Sequence, residues 1–221
     1  MVKKRIVCLA NSRMEGDRCV AGKDIESGNW IRPVNKPGAG LSGDERQYVD
    51  GNDPKLLDVI EVSLVIPYPH YHHSENWLID SSSHFKRKGR IDYSDLDNLA
   101  DDPEDLWGTD SDIDRVPLDR IRNCSSSLYL IRAQDMVLDV KEKNYGEKQV
   151  RGKFTYHKTI YNLGVTDPKI EASYKEKPKG MYSIGECYVT VSLAENPFRK
   201  SYYKLIAAII TPKRAGERTR K

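Results

Sequence analysis

The sequence predicts an all-β chain with short helices, arranged as two strand-rich halves. Three observations carry this. Short runs of β-branched and aromatic residues recur along the 221 residues, and Gly and Pro clusters separate them. The strand pattern lapses over residues 81–127 and restarts after Ser125-Ser126-Ser127. A sandwich and a pair of small barrels both fit this punctuation.

Taken in order, Lys4 to Ala10 is an apolar run that suits a first strand. Gly16, Asp17 and Gly22 predict a turn-rich loop after it. Trp30 to Val34 is a second strand, with Pro33 at an edge or strand end. Ser42 and Glu45 have capping-box spacing and predict a short helix. Asp58 to Ile66 and Asn76 to Asp80 follow as strands. Residues 81–124 hold a basic knot, Lys86 to Arg90, and an acidic stretch whose Leu96, Leu99, Leu106 and Trp107 fit short helices. In the second half, Ser127 to Val140 predicts a strand bulged around Ala133 to Asp135. Val150 to Val165, Tyr182 to Leu193 and Tyr202 to Ile210 are further strands, with a helix from Asp167 through Tyr174. The domain reading is 1–125 with an acidic insertion at 81–124, then 126–212, then a basic tail at 213–221.

Composition narrows the class. Charged residues are 31% and aromatic residues 9%, with 13 Tyr, so the chain is polar but not disordered. No apolar run reaches the ~18 to 20 residues of a membrane span. The start, with two lysines and a short apolar patch, lacks the core of a signal peptide. Four Cys without a CxxC spacing fit free thiols and a cytoplasmic location. The net charge of +3 hides segregation: residues 91–114 carry −10, the tail from Lys213 carries +4, and the remainder carries +9. A basic body can bind a polyanion, and it can equally be a solvated surface. Ten carboxylates in residues 91–114 place that stretch outside the cores.

Particular residues add a resemblance. The run Ile6-Val7-Cys8-Leu9-Ala10-Asn11-Ser12-Arg13 precedes Arg18-Cys19-Val20-Ala21-Gly22 and Trp30-Ile31-Arg32-Pro33-Val34. Later come Tyr161-x-Leu163-x-Val165-Thr166-Asp167-Pro168, Val191-Ser192-Leu193-Ala194-Glu195 and Tyr203-Lys204-Leu205-Ile206-Ala207-Ala208. Over residues 3–211 this resembles the prokaryotic dual-OB-domain family. The resemblance implies two tandem OB-fold-like small barrels and a place beside bacterial defence or nucleic-acid-processing systems. It brings no catalytic residue.

Chemistry supplies the candidate sites. OB folds stack bases on aromatics and guide phosphates with Arg and Lys. Arg13, Arg18, Trp30 and Arg32 form one candidate surface, although Trp30 and Arg32 also suit core packing. If Val150 to Lys158 is extended, Arg151, Lys153 and His157 share a second, basic face. Tyr203 and Lys204 add an aromatic-basic pair. His70, His72 and His73 lie close together, but no paired Cys completes a tetrahedral metal set. Cys8 and Cys19 stand near basic residues, and buried inert thiols are the commoner case. No GxSxG, P-loop, HExxH or HxE…PCxxC pattern is present, so no catalytic residue, metal or cofactor is assigned. The expected function is non-catalytic binding of nucleic acid, DNA or RNA, with a partner enzyme supplying any chemistry. The alternatives are a nucleotide or small-molecule sensor with its pocket between barrels, and a protein-interaction adaptor.

Overall fold

The opening apolar run faces two cores at once. The computed structural model describes residues 1–14, 16–36, 38–108, 114–142 and 146–216. In it the run lies within strand β1 (Val2–Met14). Successive side chains on a strand point to opposite faces. Ile6 and Cys8 point into one core with Ile60, Val62 and Leu64. Val7 and Leu9 point the other way and meet Leu130, Tyr188, Ala208 and Ile210 from the second half of the chain.

The first half continues with β2 (Asp17–Asp24), β3 (Trp30–Val34), helix α1 (Gly43–Arg46), β4 (Asp58–Pro67), β5 (Asn76–Ile79) and β6 (Lys86–Arg90). Its sheet runs β1-β2-β3-β5-β4, and β4 pairs back onto β1, which closes a five-stranded barrel. Only β3 and β5 pair in parallel within that ring. Strand β6 extends the open flank of β4. The basic knot from Lys86 is thus an edge strand, with Arg87 and Arg90 paired to Asp58 and Lys88 to Glu61.

After a 3-10 turn at Tyr93–Asn98, the second half contains β7 (Arg115–Pro117), β8 (Leu128–Glu142), β9 (Lys148–Tyr156), β10 (Thr159–Val165), helix α2 (Pro168–Lys175), β11 (Gly180–Leu193), β12 (Ser201–Ile210) and helix α3 (Pro212–Ala215). The order β10-β9-β8-β11-β12, with β12 paired to β10 in parallel, closes a second ring of the same topology. Helix α2 falls between the third and fourth barrel strands, where an OB fold often has one. Strand β7 joins the second sheet through β12 although it precedes residue 125. The expected all-β pair of OB barrels is therefore the observed fold.

Four details differ from the sequence reading. Residues 17–24 are a strand, not a loop. Gly22 is there because a Cβ would come within 2.0 Å of the Val7 carbonyl oxygen, opposite the β1 bulge between Cys8 and Ala10. The stretch from Val150 turns back at His157 and Lys158, both with positive φ, so it is a hairpin and not one extended run. The acidic stretch is not wholly outside the cores. Leu96 and Leu106 are fully buried, and Asp101 is an anchor between the halves. Strand β1 also extends four residues past Ala10, to Met14. The bulge expected near Ala133 to Asp135 is present, between Gln134 and Val137, with Asp135 at positive φ.

The two barrels are joined by an apolar seam. Ala10, Ala21, Leu128, Ala207 and the Trp30 indole extend the Leu9 cluster. The Thr190 hydroxyl donates to the Leu9 carbonyl at 2.6 Å, and the Arg13 N–H donates to the Thr166 carbonyl at 2.8 Å. No helix among the described residues is long and apolar enough to cross a membrane.

Candidate functional site

The oligonucleotide-binding surface of an OB barrel is built on its second and third strands and on the loops after the first and fourth. In the first barrel the chain packs part of that surface against the second barrel. Ile31 of β3 faces the barrel core, so the alternate positions Trp30 and Arg32 face outward into the seam. The Trp30 indole N–H donates to Asp101 at 3.0 Å, and the same carboxylate accepts the Leu130 N–H at 2.8 Å. Trp30 is thereby a wedge between barrels, and its half-buried ring also lines a cavity of about 620 Å³.

Arg32 is 4% exposed. Its guanidinium is 2.9 Å from Glu75 Oε1 and donates to Ser127 Oγ at 2.9 Å, with His73 Nδ1 also in contact. From the other side, His73 Nε2 lies 2.9 Å from Glu195 Oε2, and His70 Nδ1 lies 3.1 Å from Glu195 Oε1. Burial pushes the Glu75 and Glu195 carboxyls up, but Arg32 and His73 pull both further down, to about 2. Arg32 Nε, Glu75 Oε2 and His72 Nδ1 are buried without a hydrogen bond among the described residues. Such costs concentrate where structure serves function or specificity.

Ser127, His73 and Glu195 are connected like a hydrolytic triad, with Ser127 Oγ 2.8 Å from His73 Nδ1. The resemblance ends at access. Ser127 is 0% exposed, lines none of the cavities described here, and its oxygen is already committed to Arg32 and Glu75. No substrate carbonyl can reach it in this arrangement.

Three cavities open along the seam: one of about 620 Å³ beside Trp30, Asp101 and Tyr129, and two that share Arg18. The larger of the two that share Arg18, of about 410 Å³, collects Arg18, Lys55, Arg90, Lys169 and Arg214 beside Asn11. Arg214 is bound to Asp167, and Arg90 to Asp58. Arg18, Lys55 and Lys169 make no side-chain hydrogen bond or ion pair among the described residues. Asp167 caps α2 by accepting from the Lys169 and Ile170 N–H groups, so the helix terminus is already satisfied and the attraction comes from the side chains. The smaller cavity, of about 230 Å³, is bounded by Arg18, Cys19, Arg32, His73 and Glu195, with apolar walls. Burial raises the Cys19 thiol, partly offset by Arg32.

The residues singled out in the sequence are thus spread over several places. Arg13 is exposed and clasps Glu171 of the second barrel at 2.9 Å. Arg18 alone of the first group lines both cavities. Arg151 is held by Asn162 at 3.0 Å and Asp114 at 3.2 Å, while Lys153 is exposed on the same strand. His157 sits in the hairpin turn, 2.8 Å from Asp102. Tyr203 is half-buried under the Arg115 guanidinium, 4.9 Å from its ring centre. Lys204 is 1% exposed and donates to the Gly108 carbonyl at 2.8 Å. Burial lowers its pKa to about 8 against the pull of Asp105 and Asp114. Lys55 and Lys169 were not among the sequence candidates. Each follows a proline-containing turn, Asp53-Pro54 or Asp167-Pro168, and that adjacency is the local signal that could have found them.

A family model for the dual OB-containing domain matches residues 4–209. The chain belongs to that family. The dual OB-containing domain accounts for both closed rings and for the seam between them, since the match runs from the first strand of one barrel to the last strand of the other. No curated protein and no solved structure matches the chain.

Proposed function

We propose that this dual OB chain binds nucleic acid, single-stranded or structured, with phosphates lodged in the larger cleft between its barrels. The observation that carries the reading is the convergence of Arg18, Lys55 and Lys169, which have no ion pair among the described residues, on one concave surface. Asp53 and Asp167 also line the cleft but are already paired with Arg46 and Arg214, so the remaining like charges cost stability, and a bound polyanion would offset that cost. Chemistry on the bound strand would come from a partner enzyme, as expected for an accessory component of a defence or nucleic-acid-processing system. The free thiols Cys8, Cys19, Cys124 and Cys187 suit a reducing cytoplasm.

A second reading, a nucleotide sensor, is favoured by the cleft volume of about 410 Å³, within the range of small-ligand pockets. Fluorescence anisotropy with a series of oligothymidylates from 5 to 20 nucleotides, with TMP as competitor, separates the two. Affinity rising with length and weak competition by TMP support the strand-binding reading. Equal affinity for TMP and the longest strand supports the sensor. No binding of either at 50 mM salt rejects both.

A further inference from the structure

The two cavities that share Arg18 are neighbours along three stretches of chain. Asn11 lines the larger and Ser12 to Met14 the smaller; Asp167 to Lys169 line the larger and Thr166 the smaller; Ala207 lines the larger and Leu205 the smaller. Arg18 lines both. A ligand that places a phosphate on Arg18, Lys55 and Lys169 therefore has the smaller cavity within reach of its next group.

That smaller cavity has the character of a slot for a flat ring. Met14, Pro33, Val34, Ala39, Leu193 and Leu205 supply apolar walls. Its volume of about 230 Å³ lies below the roughly 300 Å³ at which pockets for drug-sized ligands begin, which suits one ring system. Glu195 contributes to its lining with a side chain only 10% exposed. An ionised carboxylate offers about four acceptor positions. His70 and His73 occupy two of them, so acceptor capacity remains.

We propose that this slot reads a nucleobase and that Glu195 selects bases carrying an amino group, guanine above all. The proposal rests on the nucleic-acid reading of the larger cleft. Guanine presents a ring N–H and an amino group side by side, two parallel donors to a carboxylate. Thymine presents one N–H between two carbonyl oxygens, which a carboxylate repels. Reading a base by its edge while its faces rest on apolar side chains is the usual way proteins recognise an unstacked nucleotide.

Calorimetric titration with GMP and with TMP tests the slot, while oligothymidylate binding tests the larger cleft separately. We expect GMP to bind at least tenfold more tightly than TMP. Glu195→Gln, which keeps the shape, should reduce that ratio to near one. Ala39→Trp, which fills the slot without touching a charge, should do the same, and covers the case in which the Glu195 variant fails to fold. Lys169→Ala should weaken both nucleotides and leave the ratio intact. Equal affinity of the wild type for GMP and TMP, no binding of either at millimolar concentration, or a preference that survives Ala39→Trp overturns the proposal. Retained oligothymidylate binding in any of those cases leaves the larger cleft standing.

Discussion

His73 Nε2, on the loop between β4 and β5 of the first barrel, lies 2.9 Å from Glu195 Oε2, on the loop between β11 and β12 of the second. These are the equivalent loops of the two OB barrels, so each barrel uses the loop after its fourth strand to hold the other. His72 supports the contact, with Nε2 3.2 Å from the Ala194 carbonyl.

Removing one member of this buried pair should cost more than a surface contact would. His73→Ala leaves Glu195 and Glu75 short of a partner in a buried site. Breaking a buried pair typically costs about 3 to 5 kcal/mol. Urea unfolding followed by tryptophan fluorescence should show that loss. A change under about 1 kcal/mol would mean that the pair is not holding the barrels.

His72 should make the fold sensitive to mild acid. Burial and the neighbouring His73 hold its pKa down, from 6.5 to about 4, while Glu195 offers partial compensation and Arg32 opposes the charge. Between pH 6.5 and 4 the unfolded chain binds a proton that the folded chain refuses, so stability falls as pH falls. His72→Leu should remove about one proton from that dependence. A wild-type curve of urea midpoint against pH that His72→Leu leaves unchanged would contradict this.

The seam should make the two barrels unfold together. Leu9 belongs to β1 of the first barrel, yet it packs on Leu130, Tyr188 and Ile210 of the second. Leu9→Ala should destabilise by about 2 to 5 kcal/mol, as large-to-small core changes do. Calorimetry should show one transition shifted down, where independent barrels would give two with only one affected.

Lys204 should be indifferent to nucleic acid. It is buried, and its ammonium is spent on the Gly108 carbonyl. Lys204→Met removes a buried charge and keeps most of the volume, so oligonucleotide affinity should stay within about twofold. A loss comparable to that of Lys55→Ala would place Lys204 on the binding surface.

Much of the fold was legible because strand periodicity and capping are local. Ser42 with Glu45 and Asp167 with Pro168 marked α1 and α2, and the bulge near Asp135 was visible as a break in alternation. Strand β2 was not, because Gly22 reads as a turn until the Val7 carbonyl is seen against it. His157 and Lys158 carry no Gly or Asn to announce a hairpin turn at positive φ. The site was harder still. Trp30 and Arg32 have the composition of a binding surface, and only the arrival of Asp101, Ser127 and Glu195 from distant segments turns that surface into a seam. The cleft has the same origin: Arg18, Lys55 and Lys169 come from three separate places in the chain and meet only when both barrels are in position.

The most direct test of the cleft is the salt dependence of binding to a 15-residue oligothymidylate, measured from 50 to 200 mM salt on the wild type and on the Arg18→Ala/Lys55→Ala/Lys169→Ala variant. Each phosphate contact on a single strand contributes a slope of about −0.7 to the plot of log affinity against log salt. The variant should stay folded, bind more weakly, and have a slope shallower by about 2. A variant that binds with the wild-type slope would contradict this, and would place the phosphates elsewhere on the molecule.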